Sequence, residues 1–328
     1  MSAHRPSRRT QRGAAILMAM LTVVLVTTLA SAMLWQQWRG VELESALRTR
    51  VQSAWILTGA LDWARLILRE DARQGGSDHL AEPWAVPLAP ARLSTFLAAE
   101  RGQALVTDDT DSESEAFLSG YIQDMQARLN VTNLVDGGKL HAPSRAAWGR
   151  LFKQLNLPEA ELDGMTEQLL LASATLAKSN KDSQVPLWPH AVADLAWLGV
   201  SSTTLQAIAP FVTLLPVRTP VNINTAPVEV LVASVDNLTL AQARQLAQSR
   251  EVKPIGTLMD ALLLVSSPEV KFDAAEQGVA SQFFSVTGQL RLGSTMLQER
   301  SVLQRNGLDV KLLSRTREVV AAEAAPLQ

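Results

Sequence analysis

Residues 14–35 carry no charge and are mostly apolar, opening Ala14-Ala15-Ile16-Leu17-Met18-Ala19-Met20-Leu21 and closing at Trp35. About 20 apolar residues at ~1.5 Å rise each span the ~30 Å hydrocarbon core of a bilayer. Beyond Arg39 the pattern turns one-sided. Leu43, Leu47, Val51, Ala54, Thr58, Leu61, Arg65 and Leu68 follow a 3–4 spacing, with Arg and Glu between them. No proline interrupts 14–73. The two patterns predict one long helix, apolar all round in its first half and amphipathic in its second. The alternative is a membrane helix followed by a separate core helix. Gly40 costs ~1 kcal/mol in helix propensity and marks the expected kink.

Gln74-Gly75-Gly76-Ser77 ends this helix, with glycine as the C-cap. Residues 77–100 hold Pro83, Pro87 and Pro90 and read as irregular, with a short helix near 91–99. Phe117 to Leu134 alternates apolar and polar from Ile122, which predicts a strand or hairpin against the long helix. From 143 the period becomes helical, near 144–155, 158–179, 190–198, 202–212, 226–234, 239–250 and 257–265. Ser202 and Thr225 read as N-caps, with Pro227 in the first turn that follows Thr225. From Gln277 the period returns to two. Strands are expected over 283–292, 295–305 and 308–315, with turns at Gly293-Ser294 and Asn306-Gly307. The class is α+β: a long N-terminal helix packed on an antiparallel sheet, with a large inserted all-α domain. The expected divisions are a leader (1–13), a transmembrane half-helix (14–35), spine and first strands (36–142), helical insert (143–275), returning strands (276–318) and a flexible tail (319–328).

Charge and composition remove several functions. The net charge is −2, and loss of Arg5, Arg8, Arg9 and Arg12 with the leader brings the remaining chain near −6. That balance disfavours a nucleic-acid partner. With no Cys, thiolate zinc sites and thiol catalysis are excluded. The four His show no H-x-x-x-H pair, and no Walker loop, dinucleotide fingerprint or G-x-S-x-G is found, so no enzyme is expected. One stretch has metal-ligand character. Asp108, Asp109, Asp111, Glu113 and Glu115 set hard oxygen ligands close together, and Asp109, Asp111 and Glu113 are the candidate calcium ligands. The competing reading is a solvated acidic loop. No cofactor is required; calcium is the one left open.

Three readings of the N-terminus compete. A secretory signal would be cut after Ala30-Ser31-Ala32, and a plain anchor would not be cut. In the third, Arg12-Gly13-Ala14-Ala15-Ile16-Leu17 resembles the leader of a type IV prepilin, cut between Gly13 and Ala14 so that the apolar run stays on the mature chain. Prepilins usually carry Glu at the fifth mature position, where this sequence has Met18. In all three the basic leader stays cytoplasmic and the rest crosses the inner membrane into the periplasm.

The leader without Glu, the segment Arg128-Leu129-Asn130-Val131-Thr132-Asn133-Leu134 and the stretch Val221-Asn222-Ile223-Asn224-Thr225-Ala226-Pro227 together resemble the type II secretion system protein K family, the large minor pseudopilins. The resemblance covers nearly the whole chain. It implies a pilin-like fold interrupted by a helical domain, and a non-catalytic place at the tip of a periplasmic pseudopilus that supports export across the outer membrane. It also implies other minor pseudopilins and a prepilin peptidase as partners, and calcium sites whose ligands it does not map. Met18 offers no membrane-embedded charge to a neighbour, which suits a tip subunit. The V-N-I-N-T-A stretch is also similar to helix-hairpin-helix modules of membrane-tethered, competence-type DNA-binding proteins. Their phosphate-binding hairpin would fall at Val235-Asp236-Asn237-Leu238, which has no Gly and carries Asp236 where phosphate would sit.

Overall fold

The computed structural model describes residues 10–93, 116–178, 186–292 and 295–321. It divides into two units, 1–58 and 59–328. The first unit is helical wherever it is described, and belongs to α1, which runs unbroken from Thr10 to Gln74. Its apolar side chains are exposed, including Ile16, Leu21, Leu25 and Leu34. Gly40 lies inside the continuous helix, so the expected kink does not break it.

The second unit holds a sheet body and a helical body. The end of α1 presents Leu61, Ala64 and Leu68 to a five-stranded antiparallel sheet. The strands are β1 (Leu88–Arg92), β2 (Ala116–Asp124), and, after the helical body, three more: β5 (Phe283–Leu292), β6 (Thr295–Asn306) and β7 (Asp309–Ala321). Their order is β1-β2-β5-β6-β7. Phe284, Val286, Leu303 and Val310 meet the α1 residues, and Trp84 stands edge-on to Phe284 with ring centroids 5.2 Å apart. A Cβ on Gly120 would stand 2.6 Å from the Thr287 carbonyl oxygen, so β2 and β5 approach closely only because Gly120 has no side chain.

Residues 88–92 correct one expectation. The short helix expected near 91–99 starts later: Ala91 and Arg92 belong to β1, Leu93 is helical, and 94–99 lie outside the described residues. Pro90 hides this strand, since proline suits only an edge strand or an irregular position. Both conditions hold: β1 is the sheet edge, and its register shifts between Leu88 and Ala91.

Between β2 and β5 the chain builds the helical body. Its helices are α2 (Ala142–Gln154), α3 (Glu159–Lys178), α4 (Ser202–Ile208), α5 (Val228–Ser234), α6 (Leu240–Val252) and α7 (Leu258–Val265), with a 3-10 helix over Val192–Leu198. Trp148, Leu151 and Phe152 of α2 join Met165, Leu195 and Leu231 in one apolar core. Ser201, not Ser202, caps α4 by accepting the Thr204 N–H, and Pro227, not Thr225, stands at the N-cap of α5. Two short parallel strands pin the body near its return: β3 (Val221–Asn222) and β4 (Gln277–Gly278). Residues 125–134 differ from the expected strand. Only Leu129–Asn130 is extended, between two 3-10 turns, and Leu129, Val131 and Leu134 belong to the helical core.

Candidate functional site

The two bodies of the second unit meet through a hydrogen-bonded layer rather than a shared apolar core. Asp124, the last residue of β2, lies at its centre with 5% exposure. One carboxylate oxygen accepts from Thr225 Oγ1 at 2.5 Å, Ser281 Oγ at 2.6 Å and Asn222 Nδ2 at 3.0 Å. The other accepts from the Gln126 N–H at 2.7 Å. Burial pushes the Asp124 carboxyl above its ordinary value, and the four donors pull against it.

Asn222 and Asn224 divide the work of the V-N-I-N-T-A-P stretch. Asn222 Nδ2 reaches toward the sheet body, touching Asp124, the Asp78 carbonyl and Ser281 Oγ, each at 3.0 Å. Its Oδ1 accepts the Asn224 N–H at 3.0 Å, which makes an Asx turn. Asn224 faces inward and pairs with both backbone groups of Ile255, at 2.9 Å each. Asn130 and Asn133 act similarly in the other quoted segment. Asn130 holds Leu215 N and Val217 O, while Asn133 holds both backbone groups of Thr219. These side-chain amides stand in for a neighbouring strand where none passes.

Next to this layer sits a buried ion cluster. Arg305 of β6 bonds Asp71 at the end of α1 and Asp78 in the segment after it. Its backbone N–H also donates to the Gln282 carbonyl at 2.7 Å, and its guanidinium lies 4.8 Å from the Phe284 ring centroid. Asp78 accepts the Ser281 N–H at 2.6 Å, so the ion cluster and the Asp124 layer share Ser281. Burial raises both carboxylates above 3.8, and for Asp71 the charge of Glu82 adds to it. Burial alone would lower Arg305, but its bonds to Asp78 and Asp71 hold it above its ordinary value. The sequence gives little hint of this cluster, because Arg305 lies more than 200 residues from both carboxylates and none of the three falls in a motif.

The expected calcium ligands Asp109, Asp111 and Glu113 lie outside the described residues. Among the described residues, Asp71, Asp78 and Glu82 bring ligand oxygens within 4.8 Å of one another. Their inner oxygens are already taken. Arg305 holds Asp71 and Asp78, and Glu82 accepts from His79 N–H at 2.9 Å and Trp84 Nε1 at 2.6 Å. A calcium ion there would share Asp71 and Asp78 with the Arg305 guanidinium, a second cation that opposes it. At the other end of the chain, Gly13, Ala14 and Met18 stand in the first turns of α1, all exposed. The same helix is long and apolar enough to cross a membrane, with mean hydropathy 2.3 over its most apolar window.

The architecture and the sequence have counterparts among known proteins. The family model described as type II secretion system (T2SS), protein K matches residues 221–281, the span from Asn222's strand to Ser281. A type II secretion system protein K from Pseudomonas aeruginosa is 27% identical over 95% of this chain and 94% of its own length. One from Klebsiella pneumoniae is 26% identical over 93% and 96%. Over nearly its whole length the chain is similar to the type II secretion system protein K family. It is a minor pseudopilin. A solved chain from the GspK-GspI-GspJ complex of enterotoxigenic Escherichia coli has this fold, with TM-score 0.61 at 18% identity over 83% of this chain and 98% of that one. Against this likeness the node just described has a clear place. The family's matched span carries the helical body's half of the joint, and Asp124, Asp78 and Arg305 carry the sheet's half. The DNA-binding reading of V-N-I-N-T-A finds no support here. Asp236, in the would-be hairpin, is paired with Arg150 at 2.7 Å, and Asn222 and Asn224 are buried.

Proposed function

We propose that this minor pseudopilin is the non-catalytic tip subunit of a periplasmic pseudopilus, where it binds other minor pseudopilins and supports protein export across the outer membrane. The observation that carries the reading is the helical body between two adjacent strands. Packed helices stand ~10 Å apart, and a body with its own core cannot fit between neighbouring subunits at that spacing. Such a subunit accepts partners on one side and blocks addition on the other. The solved relative in complex with GspI and GspJ supports the kind of partner.

The apolar half of α1 serves as a single-pass inner-membrane anchor and as the assembly surface, its basic leader cytoplasmic and the bulk of the chain periplasmic. Prepilin peptidase cuts between Gly13 and Ala14, leaving Met18 fifth in the mature chain. As domain limits we propose 14–35 for the membrane part and Met125 to Gln282 for the insert, since residues 125–134 pack with the helical core. N-terminal sequencing of the protein taken from membranes is expected to begin at Ala14. A start at Met33 would make it a free periplasmic protein and overturn the assembly role. Deleting the insert is expected to lengthen the pseudopilus and impair secretion; unchanged length and secretion would remove the tip assignment.

A further inference from the structure

A pocket of about 380 Å³ opens where β2, the segment after α1 and the helical body come together. Leu80, Pro210 and Pro227 give it apolar walls, and Tyr121, Gln123 and Arg128 bring polar groups to it. None of these three side chains hydrogen-bonds or ion-pairs within the described residues. Arg128 is the most telling. It is partly buried, and its charge is disfavoured first by that burial and then by nearby Arg300, which together lower its pKa. Asp124, which also lines the pocket, is the close carboxylate, but it is 5% exposed and its oxygens already accept from four donors. A guanidinium withdrawn from water without a partner costs free energy, and a carboxylate arriving in the pocket would recover it.

The strand edge tells what shape of ligand fits. β1 pairs with β2 only up to Gly120, while β5 pairs with it through Asp124. The stretch Tyr121–Asp124 therefore has no strand on its outer side; the 3-10 turn Pro83–Ala85 packs against β2 there, and Trp84, Ala85 and Pro87 share the pocket lining. An extended polypeptide uses such an edge through its backbone and apolar walls through its side chains.

We propose that this pocket docks an extended, acidic segment of another protein chain, with one of its carboxylates paired to Arg128. In the assembly argued above, that chain is a neighbouring minor pseudopilin, and this identification rests on that reading. The test uses the full chain, co-expressed with the other minor pseudopilins of its system and purified in detergent. Arg128→Gln is expected to weaken their association at least tenfold and Arg128→Glu further, with Arg128→Lys retaining part of it. The melting temperature of the isolated Arg128→Gln chain is expected to hold or rise, because an unpaired charge has been removed. A wild-type complex that Arg128→Glu leaves intact overturns the docking site. A fall in melting temperature in step with lost binding overturns it too, by making Arg128 a structural residue. If the wild-type chain forms no complex at all, the assembly reading fails and takes the partner's identity with it.

Discussion

In the helical body, Trp148, Leu151, Phe152, Met165, Leu195 and Leu231 close one continuous apolar core. In the sheet body the core around Trp84, Phe284, Leu303 and Val310 is small, and charged side chains fill part of the interior beside it. Arg305 bridges Asp71 and Asp78 there, and Glu299, 3% exposed, takes Arg315 at 3.2 Å and Arg317 at 2.5 Å. The two interiors fail in different ways. An apolar core loses stability in proportion to the volume removed. A buried ion cluster adds little net stability when whole, yet costs several kcal/mol when one member is missing. The joint between the bodies belongs to the second kind, since Asp124 is a buried carboxylate held by four donors.

The strongest test of this contrast is Arg305→Ala. It leaves Asp71 and Asp78 buried without their cation, and we expect a loss of about 3–5 kcal/mol in urea unfolding. The sign of its pH dependence follows from the raised carboxylates. A group whose folded pKa lies above its unfolded value contributes stability that is present below 3.8 and is lost as pH rises through the folded value. Without Arg305 both groups rise further, so the gap to the wild type should be widest at neutral pH and shrink on acidification toward pH ~4. A small loss that is flat with pH would show that the sheet body does not depend on its ions.

A smaller effect separates the joint from the helical interior. Asn222→Ala and Asn224→Ala should each cost about 2 kcal/mol, as buried backbone groups lose their partners. Hydrogen exchange should tell them apart. Asn222→Ala is expected to release protection at Ser281 and Gln126, whose N–H groups donate to Asp78 and Asp124 of the sheet body. Asn224→Ala should release it at Ile255, leaving the sheet untouched. Identical exchange maps would mean that the joint and the helical interior open as one unit. The smallest expected loss is that of Gly120→Ala, at about 1–2 kcal/mol, because its Cβ must push back the Thr287 carbonyl. Urea unfolding at two wavelengths would place that loss in the sheet body; an equal or stabilising result would show that β2 and β5 can separate freely at Gly120.

Much of the fold can be read in the sequence, because its signals are periodic. Helix α1 and strands β5 to β7 follow from patterns of 3.6 and 2, and the helices between them mostly fall within a few residues of their expected ends. The failures share a cause. Residues 125–134 alternate apolar and polar as a strand would, but two 3-10 turns produce the same alternation. Thr225 looks like a helix cap because Ala226-Pro227 follow, yet its hydroxyl goes to a carboxylate 101 residues earlier. Such a preference for a distant partner leaves no local trace. The joint was half legible for this reason. Asn222 reads as a turn former from its neighbours, while its reach to Asp78, Asp124 and Ser281 depends on chain brought back from far away.

Asp124 and Phe284 stand opposite each other in the β2–β5 pairing, so everything from Met125 to Gln282 leaves and re-enters the sheet at neighbouring points. To the sheet, the whole helical body is a single very long turn. Doubling the length of such a turn adds only ~0.6 kcal/mol of closure cost. Strand register is therefore almost blind to what the turn contains. The body can drift in size and surface, or be exchanged for a reporter domain of matching end spacing, while the sheet keeps its pairing.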